Sequence, residues 1–183
     1  MPEKSVVERL WEGNSGKING VPNLKPMIRK IRRNIMIKKV LVAIDGSEHS
    51  LKAVDYAIDV ALKYESEMYL LHVIDKVEIP EELKKYASVE KIEDPPEYLV
   101  FNEIGDRILK KAEDQARKEG IKKIHAIIQE GNAVEKITTF ARDNHIDWIF
   151  MGSRGLGGVK GLLMGSVSNK VCHLTESTCI TVK

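Results

Sequence analysis

Five short apolar runs, four of them followed by a stretch of helical periodicity, leave few folds open to this chain. The first, "VLVAI" at Val40–Ile44, stops at Asp45-Gly46. "MYLLHVID" at Met68–Asp75, "KKIHAIIQ" at Lys122–Gln129 and "DWIFMG" at Asp147–Gly152 repeat the pattern, and "TCITVK" at Thr178–Lys183 closes it. Apolar runs that do not alternate with polar residues belong to strands buried on both faces. Between the first two, Leu51, Val54, Ile58, Ala61 and Leu62 recur at helical spacing through Tyr64, behind Ser47 as a suitable N-cap. Phe101, Ile104, Ile108 and Ala112 predict a second helix that ends at Gly120, since glycine suits the C′ position. Asn132 and Glu135 have capping-box spacing ahead of Val134, Ile137, Phe140 and Ala141, and Val167, Val171 and Leu174 mark a short fourth helix. The stretch from Asp75 to Pro96 has no sustained period and reads as a long connection.

Strand alternating with helix means parallel strands joined by right-handed crossovers, with helices on both faces. The expected architecture is a doubly wound α/β domain with a five-stranded parallel sheet in the order 3-2-1-4-5. Ligands of such sheets settle beyond the carboxyl ends of the strands, where the winding reverses. With this order the reversal lies between strands one and four. It brings "AIDGS" beside "MGSRG", although Asp45 and Gly152 are more than a hundred residues apart in sequence.

The chain has 183 residues, 43% hydrophobic and 31% charged, which is enough for one full core. The domain is expected over residues 38–183, with residues 1–37 a basic N-terminal extension. Its whole-chain charge of +2 hides an asymmetry: residues 1–39 hold ten Lys or Arg against three Glu, a net +7, which leaves −5 for the rest. The basic stretch at residues 25–39 suits contact with nucleic acid or anionic lipid, and equally suits a solvated arm or one folded against its own acidic domain. Cys172 and Cys179 lack the spacing of a redox or zinc motif, which points to a reducing compartment and a structural role for both. The N-terminus does not read as a secretory signal, so the expected location is the cytoplasm.

Six of the thirteen glycines fall between Gly152 and Gly165. A Walker loop, G-x-x-x-x-G-K-[ST], does not fit them, because Gly157 is followed by Gly158. The dinucleotide fingerprint G-x-G-x-x-G fails where Lys160 stands, and the loop follows the fourth strand instead of the first. What remains is a G-x2-G-x9-G-S array of Gly152, Gly155, Gly165 and Ser166, which brackets an arch before the fourth helix. At that helix start the N–H groups of Ser166, Val167 and Ser168 have no partners within the helix and favour an anion. The hydroxyls of Ser166 and Ser168 are candidate further donors. Glycines can also serve loop geometry alone, and Asp45 also suits a cap of the turn into helix one.

This array, together with "VLVAIDGS", "LLHVID", "GNAVEKI" and "DWIFMGSRG", resembles the universal stress protein family in its ATP-binding form, over about Lys38 to Val182. The resemblance implies the adenine nucleotide alpha hydrolase-like version of the fold. It implies that Asp45 contacts the nucleoside end of ATP, with Ala43 and Ile44 lining the same pocket. It assigns adenine reading to the backbone of Val73, and ribose and phosphates to the loop that runs from Met151 and Gly152 through Gly155 to Gly165, Ser166, Val167 and Ser168. Arg154 is a candidate phosphate partner. Mg²⁺ or Mn²⁺ would be held through the phosphates. The resemblance also implies that ATP binding goes with the array, which this chain keeps.

Catalytic signatures are missing from the sequence. The histidines at 49, 72, 125, 145 and 173 make no ligand pair, and His72 reads as a packed core residue. Only His49, in the first turn of helix one, lies near the crevice. Neither "DGSEHS" nor "MGSRG" is a nucleophile elbow or an S-G-G-x-D-S loop. The leading expectation is a nucleotide-binding regulatory module in which ATP alters association with a protein partner. The alternatives are a slow ATPase or phosphotransfer enzyme in the same pocket, and a polyanion-binding scaffold acting through the basic extension. A homodimer through strand five is expected, because Thr178–Val182 would lie at the sheet edge without a charged gatekeeper.

Overall fold

A computed structural model describes residues 37–75, 96–157 and 164–183, all within one compact unit, Ile37–Lys183. The extension up to residue 36, the connection over 76–95 and the middle of the glycine arch, 158–163, lie outside the described residues. The elements in chain order are β1 (Lys39–Ala43), α1 (Glu48–Tyr64), β2 (Glu67–Ile74), α2 (Pro96–Lys118), β3 (Ile124–Glu130), α3 (Ala133–Asp143), β4 (Trp148–Gly152), α4 (Ser166–Leu174) and β5 (Thr178–Val182). All neighbouring strands pair in parallel, as the strand–helix alternation implied, and the sheet order is the expected β3-β2-β1-β4-β5.

The two faces of the sheet carry separate cores. Val40, Val42, Leu70 and Phe150 pack against Ala53, Val54, Ala57 and Ile58 of α1 and Leu109, Ala112 and Ala116 of α2. Leu41, Leu71, Ile149 and Met151 pack against Ile137 and Ala141 of α3 and Val171 of α4. Consecutive β1 residues thus point to opposite faces and both faces are covered, which is why the run shows no polar alternation.

Helix ends follow local chemistry. Ser47 accepts from the Ser50 N–H, and Asn132 accepts from the Glu135 N–H at 3.1 Å. Gly120 follows α2 with φ +103°. The start of α2 differs from the sequence reading, which began it at Phe101. It begins at Pro96, where the missing proline N–H costs nothing because first-turn amides have no helical acceptor. The compact unit also begins one residue before 38, since Ile37 is buried in the α1/α2 core and its carbonyl accepts from Ser66 Oγ. Lys39, expected in the basic stretch, is drawn into the domain. Its ammonium donates to the Asn144 carbonyl at 2.9 Å and lies 5.8 Å from the centre of the Tyr69 ring.

At the amino ends of the strands, Asp147 Oδ2 accepts from the N–H groups of Lys38 at 2.7 Å and Lys39 at 2.9 Å. At the opposite, carboxyl ends, Ala43, Val73 and Gly152 border a cavity. No helix among the described residues is long and apolar enough to cross a membrane.

Candidate functional site

β1 and β4 are adjacent, with Ala43 in register with Met151, and the chain leaves them in opposite directions to α1 and to the glycine arch. A cavity of about 520 Å³ opens at this reversal. All twelve residues singled out from the sequence border it: Ala43, Ile44, Asp45, Val73, Met151, Gly152, Arg154, Gly155, Gly165, Ser166, Val167 and Ser168. Its volume lies in the range of about 300–1,000 Å³ usual for small-ligand sites.

One wall is the start of α4. The other two capped helices here, α1 and α3, receive a side-chain cap bond and carry Glu48 or Glu135 in the first turn. Gly165, the N-cap of α4, gives no side-chain bond, and the first turn of α4 has no acidic residue. The first bond closed within this turn is from Asn169 N–H to the Gly165 carbonyl at 3.0 Å. The amides of Ser166, Val167 and Ser168 precede it, and neither the cap nor the first turn supplies a negative group to the positive end of the helix dipole.

The two serines of this turn divide their work. Ser168 is buried and donates its hydroxyl proton to the Gly152 carbonyl at 2.7 Å, tying α4 to the end of β4. A hydroxyl has one proton to give, and that of Ser168 is committed inward, while Ser166 borders the cavity.

Two glycines of the arch, Gly152 and Gly155, are crowded by the protein itself. A Cβ at Gly152 would stand 2.7 Å from the Ser50 nitrogen and 2.9 Å from the His49 carbonyl carbon, both in the backbone of α1. A Cβ at Gly155 would overlap Asp45 Oδ2. Among the described residues Gly165 meets only ordinary contacts, Ser153 O at 3.5 Å and Arg154 Cα at 3.6 Å, and Gly157 meets nothing within 4 Å. The first two glycines of the array therefore let β4 and the arch approach α1 and Asp45.

Asp45 is engaged on both carboxylate oxygens. Oδ1 accepts from Ser47 N–H at 3.0 Å and Ser47 Oγ at 2.6 Å, which is the turn cap that the sequence also allowed. Oδ2 accepts from the Leu156 N–H, across the crevice, at 3.1 Å. Ser153, the residue after β4, joins three elements. Its N–H donates to Val182 O and its carbonyl accepts from Gly165 N–H, each at 2.6 Å, while its hydroxyl lies 3.0 Å from His49 Nδ1. His49 thus sits behind the arch and does not border the cavity.

Several bordering residues escaped the sequence reading: Ser50, Leu71, His72, Asp75, Ala133, Ile137, Leu156, Gly157 and Met164. Leu71 was detectable, because it shares a strand face with Val73. Ala133 and Ile137 were detectable as one face of a helix whose start must lie at the ligand end of a parallel sheet. His72 is packed as expected, with Nδ1 2.7 Å from the Ile44 carbonyl, but it also borders the cavity. Among the described residues no three His, Cys, Asp or Glu side chains form a group able to hold a metal ion. Away from the cavity, burial, then the charge and hydrogen bonding of Cys172, push the Cys179 thiol up to about 12.

Comparison with known proteins assigns the family. The sequence profile of the "Universal stress protein family" matches residues 36–183. Universal stress protein YxiE of Bacillus subtilis is 35% identical over 150 residues, spanning 79% of this chain and 96% of that protein. The solved structure of MJ0577, a universal stress protein of Methanocaldococcus jannaschii, is 30% identical with a TM-score of 0.67, covering 81% of this chain and 97% of that one. A universal stress protein solved in complex with cAMP shares the fold at 24% identity and a TM-score of 0.59, covering 81% of this chain and 98% of that one. With the sheet order and the residues around its crevice, the match over residues 36–183 shows that the chain belongs to the universal stress protein family.

Proposed function

We propose that the cavity between β1 and β4 binds an adenine nucleotide, ATP first among them, and that the chain acts as a nucleotide-binding regulatory module. The observation that carries this reading is the uncapped start of α4, free of acidic residues and bordering a cavity of about 520 Å³. Helix starts of this kind favour phosphate, because unpaired N–H groups and the helix dipole act together. The opposite wall, built from Ala43, Leu71, Val73, Ala133 and Ile137, is apolar and suits a flat base. Arg154, which borders the cavity on the arch side, supplies the positive charge for a polyphosphate. That a universal stress protein sharing this fold was solved with cAMP accords with an adenine ligand.

Mg²⁺ or Mn²⁺ fits this reading as a companion of the phosphates. The cavity offers the carboxylates of Asp45 and Asp75, and both oxygens of Asp45 already accept from Ser47 and Leu156. The ion would enter with the nucleotide, its charge balanced by phosphate oxygens.

A homodimer through β5 belongs to the same proposal. Among the described residues β5 pairs only with β4, so its other side is a sheet edge there, and a two-fold axis would make that edge complementary to itself. Nucleotide released by denaturing the purified protein, identified by mass spectrometry, tests the ligand. An adenine nucleotide at close to one per chain is expected. Release of none, together with no saturable binding of added ATP, removes the reading.

A further inference from the structure

We infer that Asp45 is the positioning residue of the described first part of the glycine arch, Gly152 to Gly157: its carboxylate latches the Leu156 amide and reserves the space above Gly155. This deepens the reading above, on which the arch carries ribose and phosphates, and the latch can be read without adding nucleotide.

The latch rests on one side chain with two separate attachments. Asp45 follows β1 in the turn before α1, and its Oδ1 is fixed from below by the Ser47 N–H at 3.0 Å and the Ser47 hydroxyl at 2.6 Å. The Ser47 hydroxyl also lies 3.3 Å from the Arg154 carbonyl, but its single proton goes to the nearer, charged acceptor. With Oδ1 held, Oδ2 faces the arch. There it accepts from the Leu156 N–H at 3.1 Å, a bond that spans 111 positions of sequence.

Gly155 reports the same contact independently. An added Cβ would overlap Oδ2 and stand 3.6 Å from Asp45 Cγ. The glycine is therefore required by the carboxylate. Leu156 is 76% exposed, so its side chain gives the arch little anchorage. A charge-assisted bond from a rigid turn supplies the fixed point instead. One lone pair of Oδ2 remains beyond the Leu156 bond, so a ligand hydroxyl can also donate to Asp45 without releasing the arch.

The test uses the full chain without nucleotide and reads the Leu156 amide by NMR. In the wild type that amide is expected downfield and protected. In Asp45→Ala it should move upfield and exchange at least about tenfold faster, the loss expected for a hydrogen bond to a charged acceptor. The resonances of β1 and β4 should stay in place. An unchanged Leu156 amide in folded Asp45→Ala overturns the latch.

A second measurement covers the case in which Asp45→Ala does not fold. Gly155→Ala in the wild-type background should shift and deprotect Leu156, and an unperturbed amide there overturns the latch too. If Asp45→Ala folds, adding Gly155→Ala to it should cost no further stability, whereas an equal cost in both backgrounds contradicts the contact. The latch and the ligand fail separately. A Leu156 amide that responds in a protein unable to bind ATP leaves the latch standing and removes the nucleotide, and ATP binding with an indifferent Leu156 amide does the reverse.

Discussion

His72 Nδ1 lies 2.7 Å from the carbonyl oxygen of Ile44, so the middle of the β2 end is fastened to the residue just before Asp45. A carbonyl only accepts, and Nδ1 must therefore carry the proton. The same ring bounds the buried Gly105 of α2, and the end of β1 is thereby braced from two neighbouring elements.

Gly105→Ala will lower stability through this brace. Its Cβ would stand 2.8 Å from His72 Cδ2 and 3.2 Å from Ile128 Cδ1. Overpacking costs about 1–3 kcal/mol, against a gain in helix propensity of at most about 1 kcal/mol. The overpacking dominates because His72 is held in the sheet and by its hydrogen bond. The expected outcome is a lower urea midpoint, measured by circular dichroism, with an unchanged slope.

The two serines at the start of α4 should separate folding from binding. Ser168→Ala removes the donor that the Gly152 carbonyl accepts in a buried setting, at a cost of about 1–3 kcal/mol in unfolding free energy. Ser166→Ala leaves stability nearly unchanged and weakens ATP about two- to tenfold, the worth of one neutral hydroxyl bond while backbone donors remain. Denaturation and titration calorimetry on both variants check the division.

Thr181→Pro should produce a folded monomer. Thr178 N–H donates to Asp147 O and Val182 O accepts from Ser153 N–H, so residues 178, 180 and 182 turn their backbone groups toward β4. Thr181 turns its own toward the open edge, where proline removes an outward donor and no ladder bond. Sedimentation equilibrium should show the wild type dimeric and the variant monomeric. A dimeric variant would place the interface elsewhere.

Glu67 gives the β2–β3 surface a defined acid response. The hydrogen bond from His125 Nε2, at 3.0 Å, is the main cause that holds its carboxyl below the ordinary value of 4.5. A depressed carboxyl adds stability that is present above 4.5 and lost as the pH falls through the lower folded value. The stability difference between wild type and Glu67→Gln should therefore narrow in acid. Urea titrations between neutral pH and pH 3 measure it; a constant difference would remove His125 as the cause.

The fold was legible because β1 and β4 are apolar on both faces, and Val40 to Ile44 admits no half-exposed strand. The start of α2 was not, since Pro95 and Pro96 read as a break until the chain is seen to place Pro96 in the first turn. At the crevice, the spacing of Gly152, Gly155 and Gly165 was visible from the sequence, whereas the cause of two of those glycines was not. The backbone of α1 excludes a side chain at Gly152, and Asp45 excludes one at Gly155. Both contacts join segments about a hundred residues apart, and no local pattern encodes them. Ser168 was placed correctly at the cavity, but its hydroxyl proton is committed inward, which depends on the position of the Gly152 carbonyl.

Titration calorimetry of ATP into the wild type and into Gly165→Val addresses the nucleotide site itself. Gly165 borders the cavity at the start of α4, and among the described residues its added Cβ would meet nothing closer than 3.5 Å, so valine is expected to leave the fold in place while it fills the phosphate position. Saturable binding near one ATP per chain is predicted for the wild type and its loss for Gly165→Val, with unchanged circular dichroism. Equal binding by both proteins, or none by the folded wild type, would contradict a nucleotide held by the arch and the start of α4.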